Sequence, residues 1–194
     1  MKIVFFIKSE TVDLSKYSLK DPLGSSGRLD VIVRCALAAL LNNYELEENM
    51  EFWAFLDNYG TFIFKSSLFD QSILPMGELK FMEYFVEILR GVDKESIVKN
   101  PLKEVIISNI DIMSAIDNLK KEGFKEFILH ESGNKVSPQL FTDAAKFLFI
   151  IGNQSGDFLN SKQLLSSNIP RISLGDISYL SSSVIKLIKT EILD

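Results

Sequence analysis

The last third of the chain, residues 124–194, contains three apolar segments that each run into a short polar or glycine-bearing loop: FKEFILHESG, KFLFIIGNQSG and PRISLGD. Apolar runs of this length bounded by turn residues read as strands, and strands buried on both faces belong to a parallel sheet covered by helices. Side by side, the three would open their loops at one end of the sheet, where open α/β folds hold their ligands. The pattern therefore predicts an α/β protein with a ligand crevice in its C-terminal part.

The remainder of the chain supplies the other layers of such a fold. Residues 2–8 read as a buried strand and residues 9–26 as a polar loop broken by Pro22 and Gly24. Over residues 27–43, Leu29, Ile32, Val33, Ala36 and Leu40 recur at helical spacing. Val31, Cys35, Ala38 and Ala39 make the other face apolar too, so this helix is expected to be buried on more than one side. Residues 51–56 and 61–65 read as strands joined by the hairpin chemistry of Asp57-Asn58-Tyr59-Gly60. Helices are expected over 76–91, 111–122 and near 160–166, and a short strand over 104–108. The last helix is expected over about 177–193, with Asp176 as N-cap. Its apolar stripe would be Ile177, Leu180, Val184, Leu187 and Ile188, with Lys186 and Lys189 on the wet side. Residues 92–102 are the most loop-like stretch. They form the expected seam between an N-terminal part (1–100) and a C-terminal part (101–194) of a single domain.

Composition excludes several classes. An apolar fraction of 46 % with 24 % charged residues is that of a chain with a real core. Fifteen Phe against one Trp read as core filling. A net charge of −5 gives no global signal for nucleic acid, although a local basic patch can serve. Cys35 is the only cysteine, which rules out an intrachain disulfide and fits a reducing, cytoplasmic compartment. No apolar run approaches the roughly 18 residues of a membrane span, and MKIVFFIKSE lacks a small-residue cleavage site, so no membrane association is expected.

Three local patterns could carry chemistry. Gly152-Asn153-Gln154-Ser155-Gly156 follows a strand, and its two glycines would let a backbone approach a ligand, or simply turn the chain into a helix. It lacks the third glycine of a dinucleotide fingerprint, and no GK[ST] of a P-loop follows. His130 is the only histidine; with no second His or Cys nearby a zinc site is not expected, and no GxSxG elbow accompanies it. Ser25-Ser26-Gly27-Arg28 opens the first helix and could hold a phosphate. The bland alternative is a capped helix with an Asp30–Arg34 surface ion pair of about 0.3–0.5 kcal/mol.

SLKDPLGSSGRLD at 18–30 followed by VIVRCAL, FIIGxxxG at 149–156, RISL at 171–174 and a closing ExLD-like sequence at 191–194 together resemble the archaeal TrmY family, the tRNA pseudouridine N1-methyltransferases. The order and spacing match over nearly the whole chain, with the middle, residues 58–100, matching poorly. The resemblance implies a SPOUT methyltransferase fold: a mostly parallel sheet flanked by helices, with a C-terminal trefoil knot. It also implies S-adenosyl-L-methionine as cofactor, an RNA substrate of the tRNA class, and a homodimer without a metal. Carried over by position, Leu129, His130, Gly152, Gly156, Ile172 and Val184 would hold the cofactor, together with Ser173, Leu174, Gly175, Asp176, Ile177 and Ser178. Arg28 and Asp30 would face the RNA, and Asn153 stands where the family carries a carboxylate. The family's loop GDHIG is GNQSG here, and its helix pattern HxxHC falls on Leu180, Ser183 and Val184. Two readings follow: an RNA methyltransferase, and a knotted paralogue that binds RNA or cofactor without turnover.

Overall fold

The computed structural model describes residues 1–18, 20–91, 98–153, 158–175 and 177–193. In chain order its elements are β1 (Lys2–Ser9), α1 (Leu29–Leu40), β2 (Leu41–Asn42), β3 (Glu45–Leu46), β4 (Met50–Leu56), β5 (Gly60–Lys65) and α2 (Glu78–Leu89). There follow β6 (Ile106–Ser108), α3 (Ile112–Lys121), β7 (Lys125–Lys135), β8 (Lys146–Ile151), α4 (Lys162–Leu165), β9 (Arg171–Ser173) and α5 (Ser181–Leu193).

Seven of the described strands form one sheet in the order β6-β5-β4-β1-β8-β7-β9. β1 lies at its centre and pairs in parallel with β4 on one side and β8 on the other. β8–β7 and β7–β9 are also parallel, while the β4–β5 hairpin and the β6 edge are antiparallel. The three C-terminal strands are thus neighbours running in one direction, as their sequence pattern predicts.

Alternation along β1 divides the core in two. Ile3, Phe5 and Ile7 face the layer of α1, α2 and α5, whereas Val4 and Phe6 face α3 and α4. Phenylalanine fills the first layer. The rings of Phe5 and Phe127 each stack on Phe149 at 5.7 Å between centroids, which ties β1, β8 and β7 together. Each such ring contributes roughly 1.5–3 kcal/mol when fully buried.

Several local expectations are corrected. α1 starts at Leu29 rather than 27 because Gly27 and Arg28 both adopt the left-handed conformation. It stops at Leu40, and the chain turns into β2. The last helix begins at Ser181, so residues 177–180 are not helical; Asp176, expected as its N-cap, lies outside the described residues. Lys189 is buried, not solvated. Its ammonium donates to the carbonyls of Ala38 (3.0 Å), Ala39 (3.3 Å) and Leu41 (2.8 Å) and pairs with Glu47. These are the orphan carbonyls at the end of α1, and a cation there also complements the helix dipole. Of the expected seam, residues 92–97 lie outside the described residues. Asn100 and Leu102 beyond them are buried, with the Asn100 amide donating to the Tyr84 carbonyl and the Glu87 carboxylate, both at 2.9 Å.

The β7–β9 pairing is irregular in a telling way. Both Leu129 and Asn134 are partners of Ile172, so the intervening segment of β7 bulges out of the ladder and the register shifts there. A β-carbon at Gly133 would lie 2.6 Å from the Ile172 backbone, which only glycine permits. No described helix is long and apolar enough to cross a membrane.

Candidate functional site

The carboxyl ends of β8 and β9 and the middle of β7, where its register shifts, surround a cavity of about 360 Å³. Each strand delivers an apolar residue to it. Leu129, Ile151 and Ile172 form the floor, with Leu174, Ile177 and Val184 closing the side. The polar rim is His130, Glu131, Asn153, Ser173, Ser178 and Ser181.

The turns are fixed by their own hydrogen bonds. The Ser173 hydroxyl accepts from the Gly175 N–H at 3.1 Å and donates to the Gly175 carbonyl at 3.0 Å. Gly175, at φ +118°, makes that close ring possible. Ser181 donates to the Gly152 carbonyl at 2.7 Å, tying the first turn of α5 to the end of β8. A β-carbon at Gly152 would sit 2.9 Å from Leu159 Cδ1, so glycine here lets the 158–160 turn approach. Arg171 holds that turn by donating to the Leu159 carbonyl.

His130 has a fixed orientation. Its Nδ1 accepts the Ser132 backbone N–H at 3.1 Å, with the Ser132 hydroxyl at 2.8 Å. An Nδ1 that accepts from a backbone N–H leaves the neutral ring's proton on Nε2, which makes His130 a donor. Glu131 beside it is a carboxylate on the cavity wall without an ion-pair partner among the described residues. Cys35 is no nucleophile: burial pushes its thiol up to about 12. Among the described residues, no three of His, Cys, Asp and Glu gather in a way that could hold a metal ion.

Of the residues singled out in the sequence, Leu129, His130, Gly152, Asn153, Ile172 and Ser173 come together here, as do Leu174, Gly175, Ile177, Ser178 and Val184. Gly156 and Asp176 lie outside the described residues, as does Gln154. Arg28 and Asp30 do not line the cavity. Asp30 is buried and takes the Arg28 Nε at 3.2 Å and the Arg34 guanidinium, which also bonds the Asp30 carbonyl at 3.3 Å. This is a part-buried network rather than the surface pair expected. Arg34 and Val31 border a narrow cleft against Leu180, Ser181 and Ser182, so the network abuts the segment that closes the cavity. The phosphate reading of the 25–28 loop meets an obstacle, because Ser25 bonds Asp21 and Ser18 within the loop and Ser26 is fully buried.

Sequence reasoning missed Glu131, Ile151, Leu159, Asn160, Tyr179 and Ser181 as cavity residues. Glu131 and Ile151 adjoin residues that were identified. Leu159 and Asn160 arrive from a turn whose approach no local pattern encodes.

Glycine turns at the ends of adjacent parallel strands, an apolar floor and a polar rim define an α/β protein that holds a small cofactor between strand-end loops. The whole chain, residues 1–194, matches the model of the family described as "Putative SAM-dependent RNA methyltransferase", and the chain belongs to this family of S-adenosylmethionine-dependent RNA methyltransferases. It is similar to the tRNA (pseudouridine(54)-N(1))-methyltransferase of Methanococcus vannielii, 26 % identical over 95 % of this chain and 94 % of that one. The enzyme of the same name from Pyrococcus abyssi is 28 % identical over 94 % and 93 %. Among solved structures, Archaeoglobus fulgidus Nep1 bound to S-adenosylhomocysteine superposes with a TM-score of 0.68 at 15 % identity, covering 98 % of this chain and 97 % of that one. The mostly parallel sheet flanked by helices is the SPOUT methyltransferase sheet that the sequence resemblance implies.

The cavity suits the cofactor. Its apolar floor can take an adenine face, and the Gly152 and Gly175 carbonyls, each accepting one serine hydroxyl, keep a second lone pair for a ribose hydroxyl.

Proposed function

We propose that this protein methylates the N1 nitrogen of a pseudouridine in tRNA, with S-adenosylmethionine held in the cavity bounded by β7, β8 and β9. The observation that carries this reading is the convergence of β7 and the glycine turns after β8 and β9 on one cavity, in a chain related over nearly its full length to enzymes of that name. Leu129, Ile172, Leu174 and Ile177 wall the adenine. His130 Nε2–H donates to the cofactor's polar end. Bound there, the cofactor supplies an activated methyl group on sulfur, so the protein's work is orientation and electrostatics.

The acceptor nitrogen carries a proton that must leave. Asn153 cannot take it, whereas the Glu131 carboxylate lines the same cavity and can receive it on an oxygen atom. Arg28 and Asp30 serve the RNA. The Asp30–Arg34 network against Leu180–Ser182 supports a route by which RNA held at α1 reaches the cavity mouth.

The reading extends to architecture. One sheet built from strands of residues 1–100 and 101–194 supports a single domain whose N-terminal part carries the RNA-facing elements. The family resemblance implies a trefoil knot of the C-terminal segment, and the register shift of β7 at Leu129–Asn134, with Gly133 packed against the Ile172 backbone, is compatible with it. The protein would act as a homodimer in the cytoplasm.

The test is mass spectrometry of nucleosides from unmodified and pseudouridine-containing tRNA incubated with protein and isotopically labelled cofactor. Labelled N1-methylpseudouridine is expected, with Glu131→Gln lowering its yield at least tenfold. Binding of S-adenosylhomocysteine without any labelled product would instead establish the paralogue that binds without turnover.

A further inference from the structure

A second cavity, of about 990 Å³, opens at the carboxyl ends of β1 and β4, on the same end of the sheet as the first. The two share a wall. In the 158–161 segment, Leu159 and Asn160 face the first cavity, and Phe158 and Ser161 face the second. The catalytic reading makes no use of this space.

Its lining is mixed in a specific way. Phe158 and Tyr59 are partly exposed rings, and Phe55 and Met113 add apolar surface behind them. The polar groups are mostly acceptors. Asp57 presents both carboxylate oxygens near Lys8, at 3.1 and 3.2 Å. Asn58 uses its N–H on the Val12 carbonyl, leaving its own carbonyl oxygen. Asn109 has no hydrogen-bond partner for its amide among the described residues. Two carboxylates, Glu10 and Asp57, share the ammonium of Lys8, and a third, Asp111, caps α3 by accepting from the Met113 and Ser114 N–H groups and the Ser114 hydroxyl. The space therefore repels phosphate and favours N–H donors.

Unpaired RNA bases are read by stacking on aromatic rings and by hydrogen bonds to their edges. An enzyme acting on a base draws it out of its stack, which frees the neighbouring base as well. The geometry points to a second base-binding site: the cavity beside Phe158 takes an unpaired base flanking the acceptor nucleotide, with guanine preferred. Guanine carries an imino and an amino N–H side by side, which match the two oxygens of the Asp57 carboxylate once it displaces the Lys8 ammonium that bridges them and leaves it to Glu10; uracil offers one N–H between two carbonyls. The phosphodiester backbone stays at the mouth. This inference rests on the reading that the acceptor nucleotide enters the first cavity.

The experiment uses the full chain saturated with S-adenosylhomocysteine, so that the cofactor's part of the first cavity is filled. GMP, AMP, CMP and UMP are titrated in turn and followed by two-dimensional amide NMR. GMP is expected to shift amides of residues 57–61 and 109–113 and to bind at least tenfold tighter than UMP. Asp57→Asn should weaken GMP at least fivefold and leave UMP unchanged. Phe158→Leu should weaken all four, and S-adenosylhomocysteine affinity should stay unchanged in both variants. The proposal is overturned if no nucleotide shifts these amides at millimolar concentration, if the shifts occur only around the first cavity, or if Asp57→Asn leaves the GMP preference intact. Retained S-adenosylhomocysteine binding in those cases would overturn the second site alone and leave the methyltransferase reading standing.

Discussion

A β-carbon at Gly27 would sit 1.8 Å from the Thr11 carbonyl oxygen, and the residue holds φ at +61°. The crossing is real structure: the Thr11 hydroxyl donates to the Gly27 carbonyl at 2.8 Å and the Asp13 N–H to the Ser26 carbonyl at 3.3 Å. Gly27→Ala combines a steric clash with a left-handed conformation and should cost more than about 1 kcal/mol, read as a lower urea midpoint. Glu51 makes a second prediction. Burial raises its carboxyl, but hydrogen bonds from Lys2 and Trp53 and the charges of Lys2 and Lys65 outweigh this and hold it below the ordinary glutamate value of 4.5. A lowered folded value means that the stabilisation is fully present above 4.5 and is lost as pH falls through the folded value. Glu51→Gln should therefore destabilise by about 1–3 kcal/mol at neutral pH. In acid-dependent denaturation the gap between the two proteins should close below pH 4.5. Both residues were visible in the sequence, yet neither role was, because each depends on a chain segment that arrives from elsewhere.

At the scale of elements, α5 carries the most tertiary information. Its sequence reads as an amphipathic helix with solvated lysines, and Ile188 does face the core. Lys189 instead turns inward, because three carbonyls at the end of α1 and the Glu47 carboxylate together replace its water. Lys189→Met should leave Glu47 and the α1 carbonyls without their cation and destabilise the fold by about 3–5 kcal/mol. Thermal melting checks this, and adding Glu47→Gln should recover part of the loss. The late start of α5 has a functional consequence. Residues 177–179, free of the helix, line the proposed cofactor cavity, and the Ser181 hydroxyl reaches the Gly152 carbonyl. Helical periodicity over 177–193 could not locate that boundary, since Ile177 and Leu180 keep the spacing while standing exposed at 64 % and 48 %.

For the molecule as a whole, the proposed cofactor and RNA sites lie on different elements that meet at one segment. The cavity belongs to β7, β8 and β9, and the Arg28–Asp30–Arg34 network to the start of α1. Calorimetry with S-adenosylhomocysteine should separate them. Gly152→Phe, whose side chain must displace Leu159, should abolish binding. Arg28→Ala should leave that affinity unchanged and weaken tRNA binding. Unchanged tRNA affinity in Arg28→Ala would remove the proposed role of the 27–30 segment.

The strands, their common direction and the cavity end of the sheet were determined by the sequence itself. Apolar periodicity and glycine-bearing loops are local properties, and a two-sided apolar strand has few places to go except the middle of a parallel sheet. The GRLD, FIIGxxxG and RISL segments pointed in the same way to the family. Tertiary structure alone decided which polar groups face the cavity, why Gly27 and Gly133 must be glycine, and that Lys189 is buried. Those outcomes are set by contacts between segments far apart in the chain, whose geometry exists only once the sheet has formed.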